Sequence, residues 1–294
     1  MVLTEESSRQ VLKTVSAQAG VEAAAAKLIR IGSNAVYRLS SPVIVRISAG
    51  SEAWESAKRQ VAVARWLAEE NYPATRALDL DQPFEVGGYV ATLWESASER
   101  EEYASVAQVA DLIKRLHQLD APSSLSLPNH EPFDKLDAQL GNLHNIDPVD
   151  ADFLHARIDN LRSRYEMLDF VLRPGAIHGD ANVGNVILDR HRTPLLIDLD
   201  SFAVGPREWD LVQTALFYER FGWHTEEEYR QFVEVYGWDI MSWPGYPVLA
   251  DYREVAMTLW LARKAGTDER AAAEVRKRVA AIRTGGDRRD WAPF

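Results

Sequence analysis

The chain has 294 residues, a formal charge of −11, 46% hydrophobic and 26% charged residues, and no cysteine. That balance supports one large or two packed globular domains without covalent staples, and the missing thiols exclude disulfides, thiolate metal sites and cysteine nucleophiles. An acidic surface repels phosphate backbones and argues against nucleic-acid binding; lining a cleft it would steer cations, though solubility alone is the plainer account.

The N-terminal MVLTEESSRQ has no basic stretch followed by an apolar run, so no secretory signal is expected. No run reaches the roughly 18 apolar residues of a membrane span, and a cytoplasmic protein is expected. Residues 4–19 carry Val11, Leu12 and Val15 at helical spacing and stop at Gly20. Residues 25–48 read as three short strands turning at Gly32–Asn34 and Ser40–Pro42. Residues 52–70 form a helix with Ala57, Val61, Ala64 and Leu67 as its apolar stripe. YPATRALDL (72–80) and FEVGGYVATLWE (84–95) read as further strands. The pattern then turns helical over 104–119, becomes a loop with short helical pieces over 122–148, and is helical again over 150–172. Short strands return over 176–205, and helices fill 208–283. The expected fold is α+β, with a small β-rich lobe over 1–95 and a larger, mostly helical lobe over 96–294 that contains one β-hairpin.

The densest chemical cluster is His178-Gly179-Asp180, then Asn185, then Asp198 and Asp200. Val186–Asp189 and Pro194–Ile197 read as strands joined by the four-residue loop 190–193. That loop pairs Asp189 with Pro194 and Val186 with Ile197, and the next pair outward is Asn185 with Asp198, about 4.5–5.5 Å apart at Cα. An amide oxygen and a carboxylate would thus converge as the hard oxygen donors that magnesium takes while sharing phosphate oxygens. Asp180, on a loop facing the same end, supplies the carboxylate that phosphoryl transfer needs beside an attacking hydroxyl. The plainer alternative is a hairpin whose end is capped by polar side chains.

His-Gly-Asp-x-x-x-x-Asn followed by Ile-Asp-x-Asp resembles the aminoglycoside phosphotransferase and choline kinase group, whose fold is similar to that of protein kinases. The likeness covers nearly the whole chain in element order. It implies a bilobal protein-kinase-like fold, ATP (with GTP as the alternative) and magnesium as cofactors, Asp180 as catalytic base, and Asn185 and Asp198 as metal ligands. Asp200 matches a second acidic position. In Gly205-Pro-Arg-Glu-Trp-Asp210-Leu211, Asp210 is expected to brace the loop, and His178 to pack and hydrogen-bond within it.

The nucleotide side is less regular. Ser33 and Asn34 lie in a turn whose amides could cover phosphates, although any hairpin turn looks alike. Arg46 stands on the strand where this fold carries a phosphate-binding lysine, and Gln60 on the following helix where a glutamate would fix it, with Glu52 or Glu55 as substitutes in another register. An arginine forks onto phosphate oxygens and a glutamine accepts one of its hydrogen bonds, so an altered but working pair is expected. Tyr89–Ser96 should form the hinge, with Trp94 and Ser96 beside the adenine; Trp94 reads equally well as packing.

No long segment separates Asp198 from the helices that begin near Glu208, which favours a small hydroxyl acceptor over a protein. The acceptor should lie among residues 200–260, with Asp200, Glu208 and Glu219 as candidate contacts. Acids among aromatics suit a cationic, aminoglycoside-like or other antibiotic-like molecule; the alternative is that the aromatics are helix core and the charges a solvated face. A metabolic acceptor such as choline, a sugar or a nucleoside, and a nucleotide-binding regulator without turnover, are the competing functions. A monomer or homodimer is expected.

Overall fold

The computed structural model describes residues 3–40, 42–99, 101–141 and 146–294. Ser41 of the expected Ser40–Pro42 turn and residues 142–145 of the expected 122–148 loop lie outside them. The chain packs as two compact units. One is Met1–Pro128 with Val183–Phe202; the other is Asn129–Asn182 with Ala203–Phe294. These packing limits do not coincide with Glu95, the point expected to divide the lobes.

The first unit is built on an antiparallel sheet in the order β1 (Lys27–Ile31), β2 (Asn34–Arg38), β3 (Val43–Ala49), β5 (Tyr89–Glu95), β4 (Phe84–Val86). Residue alternation gives it two different faces. Ala35, Tyr37, Val45, Ile47, Ala91 and Leu93 point to one side and form a core with Val11, Leu12 and Val15 of helix α1 (Glu5–Ala19). Each valine, leucine and isoleucine of this set, once buried, contributes about 1.5–3 kcal/mol. α1 starts where Thr4 and Ser7 cap each other and stops at Gly20, which takes the left-handed conformation at φ 68°. The register sets Arg46 opposite Val36 and Thr92, so these residues share the other face. Helix α2 (Ala53–Glu69) packs against β5 and against the 3-10 turn Leu199–Ser201.

Residues 72–80 do not form the expected strand. Pro73 offers no amide, and the segment divides its hydrogen bonds between two partners: Thr75 N donates to Leu196 O at 2.8 Å, and Leu78 N to Leu93 O at 3.0 Å. No continuous ladder survives that switch. The expected hairpin does form, as β7 (Val186–Leu188) and β8 (Pro194–Leu196), but it packs in the first unit. It is pinned there by Leu196 N to Pro73 O at 3.0 Å and by Leu188 N to Glu102 O at 2.7 Å. Helix α3 (Val106–Leu116) packs against β8 with Leu112 and Leu116 buried.

The hairpin register corrects the expected one by a residue. Val186 pairs with Leu196 and Leu188 with Pro194. The cause is Asp189, whose Oδ1 accepts the amides of His191 at 2.8 Å and Thr193 at 2.7 Å. That side chain tightens the loop to Arg190-His191-Arg192, with Arg192 left-handed at φ 63°, the three-residue hairpin type. Asn185 therefore bonds across to Ile197, whose N donates to Asn185 O at 2.9 Å. Asp198 is not its directly opposed partner.

The second unit is mainly helical: α4 (Pro132–Leu140), α5 (Pro148–Glu166), α6 (Val212–Glu219), α7 (Glu226–Tyr236), α8 (Tyr246–Ala262) and α9 (Glu269–Thr284). α8 is central and packs against α4, α5, α6 and α9. α5 ends at Glu166 rather than continuing to 172, and the amides of Val171 and Leu172 are held instead by Glu208. A two-stranded antiparallel sheet, β6 (Gly175–Ile177) with β9 (Ala203–Gly205), ends directly before His178. Among the described residues no helix is long and apolar enough to cross a membrane.

Candidate active site

In the first unit the sheet cation and the turn carboxylate are paired. Arg46 Nη2 lies 3.1 Å from Asp198 Oδ1, with the two side chains 15% and 30% exposed. In the amide orientation that satisfies all its neighbours, Asn34 Oδ1 accepts from the same Nη2 at 3.0 Å. The Asn34 nitrogen then donates to Ser33 O at 3.1 Å and Ser48 Oγ at 2.9 Å. The pairing follows from sheet register, because Asn34 and Arg46 alternate onto one face. Asp198 holds the left-handed conformation at φ 61°, ψ 64°. A non-glycine residue there is strained, although aspartate tolerates it better than most. The turn aims the carboxylate out of the hairpin and toward β3.

The expected Arg46–Gln60 bond is not made. Gln60 is buried, and its Nε2 donates to Ser56 Oγ at 3.1 Å, one turn away on the same helix. Glu55 pairs loosely with Lys58 at 4.0 Å, and Glu52 ends α2 as its N-cap residue. Trp94 is buried at 3% exposure, donates Nε1 to Thr92 Oγ1 at 2.8 Å and stands opposite Ile44, which fits packing beneath the Arg46 face. Ser96 donates its amide to Pro42 O at 2.8 Å and its hydroxyl to Ser98 O at 3.2 Å. Asp200 is exposed beside Asp198 and accepts from Ser201 Oγ at 3.3 Å.

Asn185 closes a 3-10 turn, Val183–Asn185, directly before β7. Its amide oxygen and the Asp198 carboxylate are hard donors at the open end of one hairpin, a set that fits a magnesium ion completing its shell with phosphate oxygens and water. Among the described residues no three His, Cys, Asp or Glu side chains converge to make an all-protein metal cage.

In the second unit the loop carrying Asp180 is fixed from two sides. Asp210 accepts the amides of His178 at 2.7 Å and Gly179 at 2.8 Å, one on each carboxylate oxygen. That is the bracing expected of it. The Gly179 carbonyl accepts Trp209 Nε1 at 2.9 Å and Arg253 Nη2 at 3.0 Å. Gly179 itself sits at φ 84°, where a side chain would be strained. His178 is fully buried, and Asp180 N donates to its Nδ1 at 3.3 Å. Asn182 Nδ2 donates back to Asp180 O at 3.0 Å. Arg253 Nη1 lies 3.4 Å from Asp180 Oδ1. The sequence reading missed Arg253; in a helical stretch Asp-Tyr-Arg-Glu it looks like one more surface charge, and only its burial marks it out.

A family model described as a phosphotransferase enzyme family, APH, matches residues 26–252. The chain belongs to the phosphotransferase enzyme family. As an APH-family member it is a small-molecule phosphotransferase. No curated protein matches the sequence. Solved structures agree on the fold, which is protein-kinase-like. The amicoumacin kinase hAmiN, solved with AMP-PNP, Ca²⁺ and Ami, is 14% identical with a TM-score of 0.70, covering 97% of this chain and 95% of its own. The choline kinase LicA from Streptococcus pneumoniae is 15% identical with a TM-score of 0.65, covering 94% and 100%. The APH(2″)-IIIa enzyme, solved with GDP and kanamycin, is 13% identical with a TM-score of 0.67, covering 94% and 99%.

Much of the acidic and aromatic set of this phosphotransferase is committed to its own structure. Glu208, expected to meet the acceptor, is fully buried, and its Oε1 accepts the amides of Val171 at 2.7 Å and Leu172 at 2.8 Å. Glu228 closes the capping box of α7 with Thr225, whose amide holds the carboxyl below its usual range. Tyr229 stacks on Tyr218 at 4.9 Å and donates to Asp239 Oδ1 at 2.7 Å. Trp243 is buried, donating Nε1 to Asp169 O at 3.0 Å. Glu219 is 40% exposed, with Tyr246 donating to its Oε2 at 2.7 Å.

Proposed function

We propose that this phosphotransferase moves the terminal phosphate of ATP to a hydroxyl of a small molecule, with aminoglycoside-like or other antibiotic-like compounds as the acceptor class. The observation that carries the reading is the line Asn34–Arg46–Asp198, which joins a turn, a strand cation and a hard-oxygen donor. That combination is what a nucleotide triphosphate with its metal requires. The solved relatives with AMP-PNP and with GDP support a nucleotide donor, with GTP as the alternative. Residues 1–95 then carry the nucleotide, and residues 96–294 the catalytic and acceptor-binding groups.

In this reading Arg46 grips phosphate oxygens, and Asn34 holds its guanidinium in place. Asp198 and Asn185 hold magnesium, which when bound neutralises the charge that builds on the transferring phosphate. Asp180 accepts a hydrogen bond from the acceptor hydroxyl, orients it and takes its proton. The two hydrogen bonds that Asp210 accepts from His178 and Gly179 mean that Asp180 enters the reaction on a loop already set, so little ordering remains at the moment of transfer. Asp200 and Glu219 remain as acceptor contacts; Glu208 serves the scaffold.

The test is ADP release from Mg-ATP with a panel of aminoglycosides, other hydroxylated antibiotics, choline, sugars and nucleosides. Asp180→Asn should lower turnover of the accepted compound at least about a hundredfold while leaving nucleotide binding intact. Near-wild-type turnover in that variant would sink the assignment of the base. Binding of Mg-ATP without phosphorylation of any compound, and no change on Asp180→Ala, would favour a regulator.

A further inference from the structure

We propose that Arg253 is a positioning residue for Asp180, a role that rests on the reading of Asp180 as the base. Arg253 comes from the middle of α8 and is 8% exposed. A buried guanidinium is costly unless paired. Among the described residues its ion-pair partner is Asp180, at 3.4 Å.

Its acidic neighbours on α8, Asp251 and Glu254, stand at i−2 and i+1, positions that do not face Arg253 across the helix surface. Asp251 accepts from Arg157 at 2.8 Å, Arg164 at 2.9 Å and Arg220 at 2.9 Å. Glu254 accepts from Arg220 at 3.1 Å and Arg288 at 3.0 Å. Each adjacent carboxylate is taken by other arginines, so the Arg253 charge faces the catalytic loop.

The guanidinium is held in that direction by two further contacts. Its plane lies over Trp209 with 4.7 Å to the ring centroid. Nη2 shares the Gly179 carbonyl with Trp209 Nε1. Trp209 in turn packs against His130, tilted at 4.1 Å, and meets Tyr252 edge-on at 4.9 Å. A planar fork can bind the backbone and the side chain of adjacent residues at once; a lysine ammonium on the same stem cannot match both directions. The contact from Arg253 thereby fixes the direction of the Asp180 carboxylate.

The experiment is a double-mutant cycle on ADP release from Mg-ATP, using the acceptor the panel identifies, or water as acceptor if it identifies none. Arg253→Met should lower kcat roughly 10- to 100-fold with little change in Mg-ATP affinity, the size expected when a base is misplaced by about 1 Å. In the Asp180→Asn background the same substitution should cost nothing further, because its effect runs through Asp180; a merely structural role would cost the same in both backgrounds. Should Arg253→Met not fold, Arg253→Lys carries the cycle, with a kcat loss confined to the Asp180 background. Unchanged kcat in Arg253→Met or Arg253→Lys, or equal losses in both backgrounds, overturns the proposal while Asp180→Asn inactivity keeps the base assignment. Full turnover in Asp180→Asn overturns the base assignment itself.

Discussion

Arg46 and Asp198 are ion-paired at 3.1 Å, although 152 positions separate them in the chain. The pair replaces the strand-to-helix pairing that the sequence suggested, since Gln60 turns to its own helix. Arg46→Met should therefore weaken Mg-nucleotide binding by about ten- to a hundredfold, the worth of a charge-assisted contact of about 1.5–3 kcal/mol. Gln60→Ala should leave that affinity near wild type. Isothermal calorimetry on both variants decides between the two partners, and a larger loss in Gln60→Ala would contradict the structure.

The Asp210 clamp predicts a different phenotype. Asp210→Asn swaps one acceptor oxygen for an amide donor facing a buried N–H, so stability should fall by about 2–3 kcal/mol. Turnover should fall with it, because the loop amides of His178 and Gly179 lose their anchor. Urea denaturation and kcat on the same sample would check this. A variant of full stability and activity would show that the loop holds its shape without the clamp.

His130 gives the second unit a pH dependence. Its imidazole is pushed down from 6.5 to about 3, first by burial and then by the Arg253 charge, with Asp210 opposing and Lys135 adding a little. The folded state then keeps it neutral while the unfolded chain binds a proton below about pH 6.5. Stability from this group is whole above that pH and declines as pH falls, by up to about 2 kcal/mol at pH 5. His130→Phe, which keeps the ring against Trp209, should flatten unfolding free energy between pH 6.5 and 5 by close to one proton. An identical slope in both proteins would refute the assignment.

Asp251 is the hub of a charge network in the second unit. Its carboxylate, on α8, receives guanidiniums from α5 and from the C-cap of α6, so Asp251→Ala leaves Arg157, Arg164 and Arg220 crowded without it. A loss of about 2–4 kcal/mol is expected, somewhat below that of a fully buried pair. Thermal unfolding would register it, and kcat at low temperature should be spared. A melting curve unchanged from wild type would mean that solvent already screens the group.

Local signals carried most of the first unit. The stripe Val11, Leu12, Val15 with Gly20 gave α1 almost to the residue, whereas 84–95, read as strand throughout, is split into β4 and β5 by Gly87 and Gly88, both at positive φ. The failures came where a side chain outvoted periodicity. Asp189 shortened the 190–193 loop by bonding two amides, and a slip of one residue moved Asp198 out of register with Asn185. Pro73 and a change of partners denied residues 72–80 a ladder. At the site, the bracing by Asp210 was legible because it falls in a compact motif, Gly205 to Leu211, although 32 positions separate it from His178. Arg253 was not, since its meaning depends on which arginines consume Asp251 and Glu254, and no local pattern encodes that.

The return of residues 183–202 to the first unit has a consequence for dissecting the protein. The polypeptide passes between units after Pro128, after Asn182 and after Phe202, so no single cut yields either unit whole. A fragment ending at Pro128 would lack the hairpin that satisfies Pro73, Thr75, Glu102 and Ala104, exposing those backbone groups along an open edge. Such a fragment should aggregate, and adding the missing twenty-residue piece in trans should restore solubility more readily than lengthening the fragment to Asn182. Inheritance of this fold is thus all or nothing: the hairpin cannot travel with the helices that flank it in the gene.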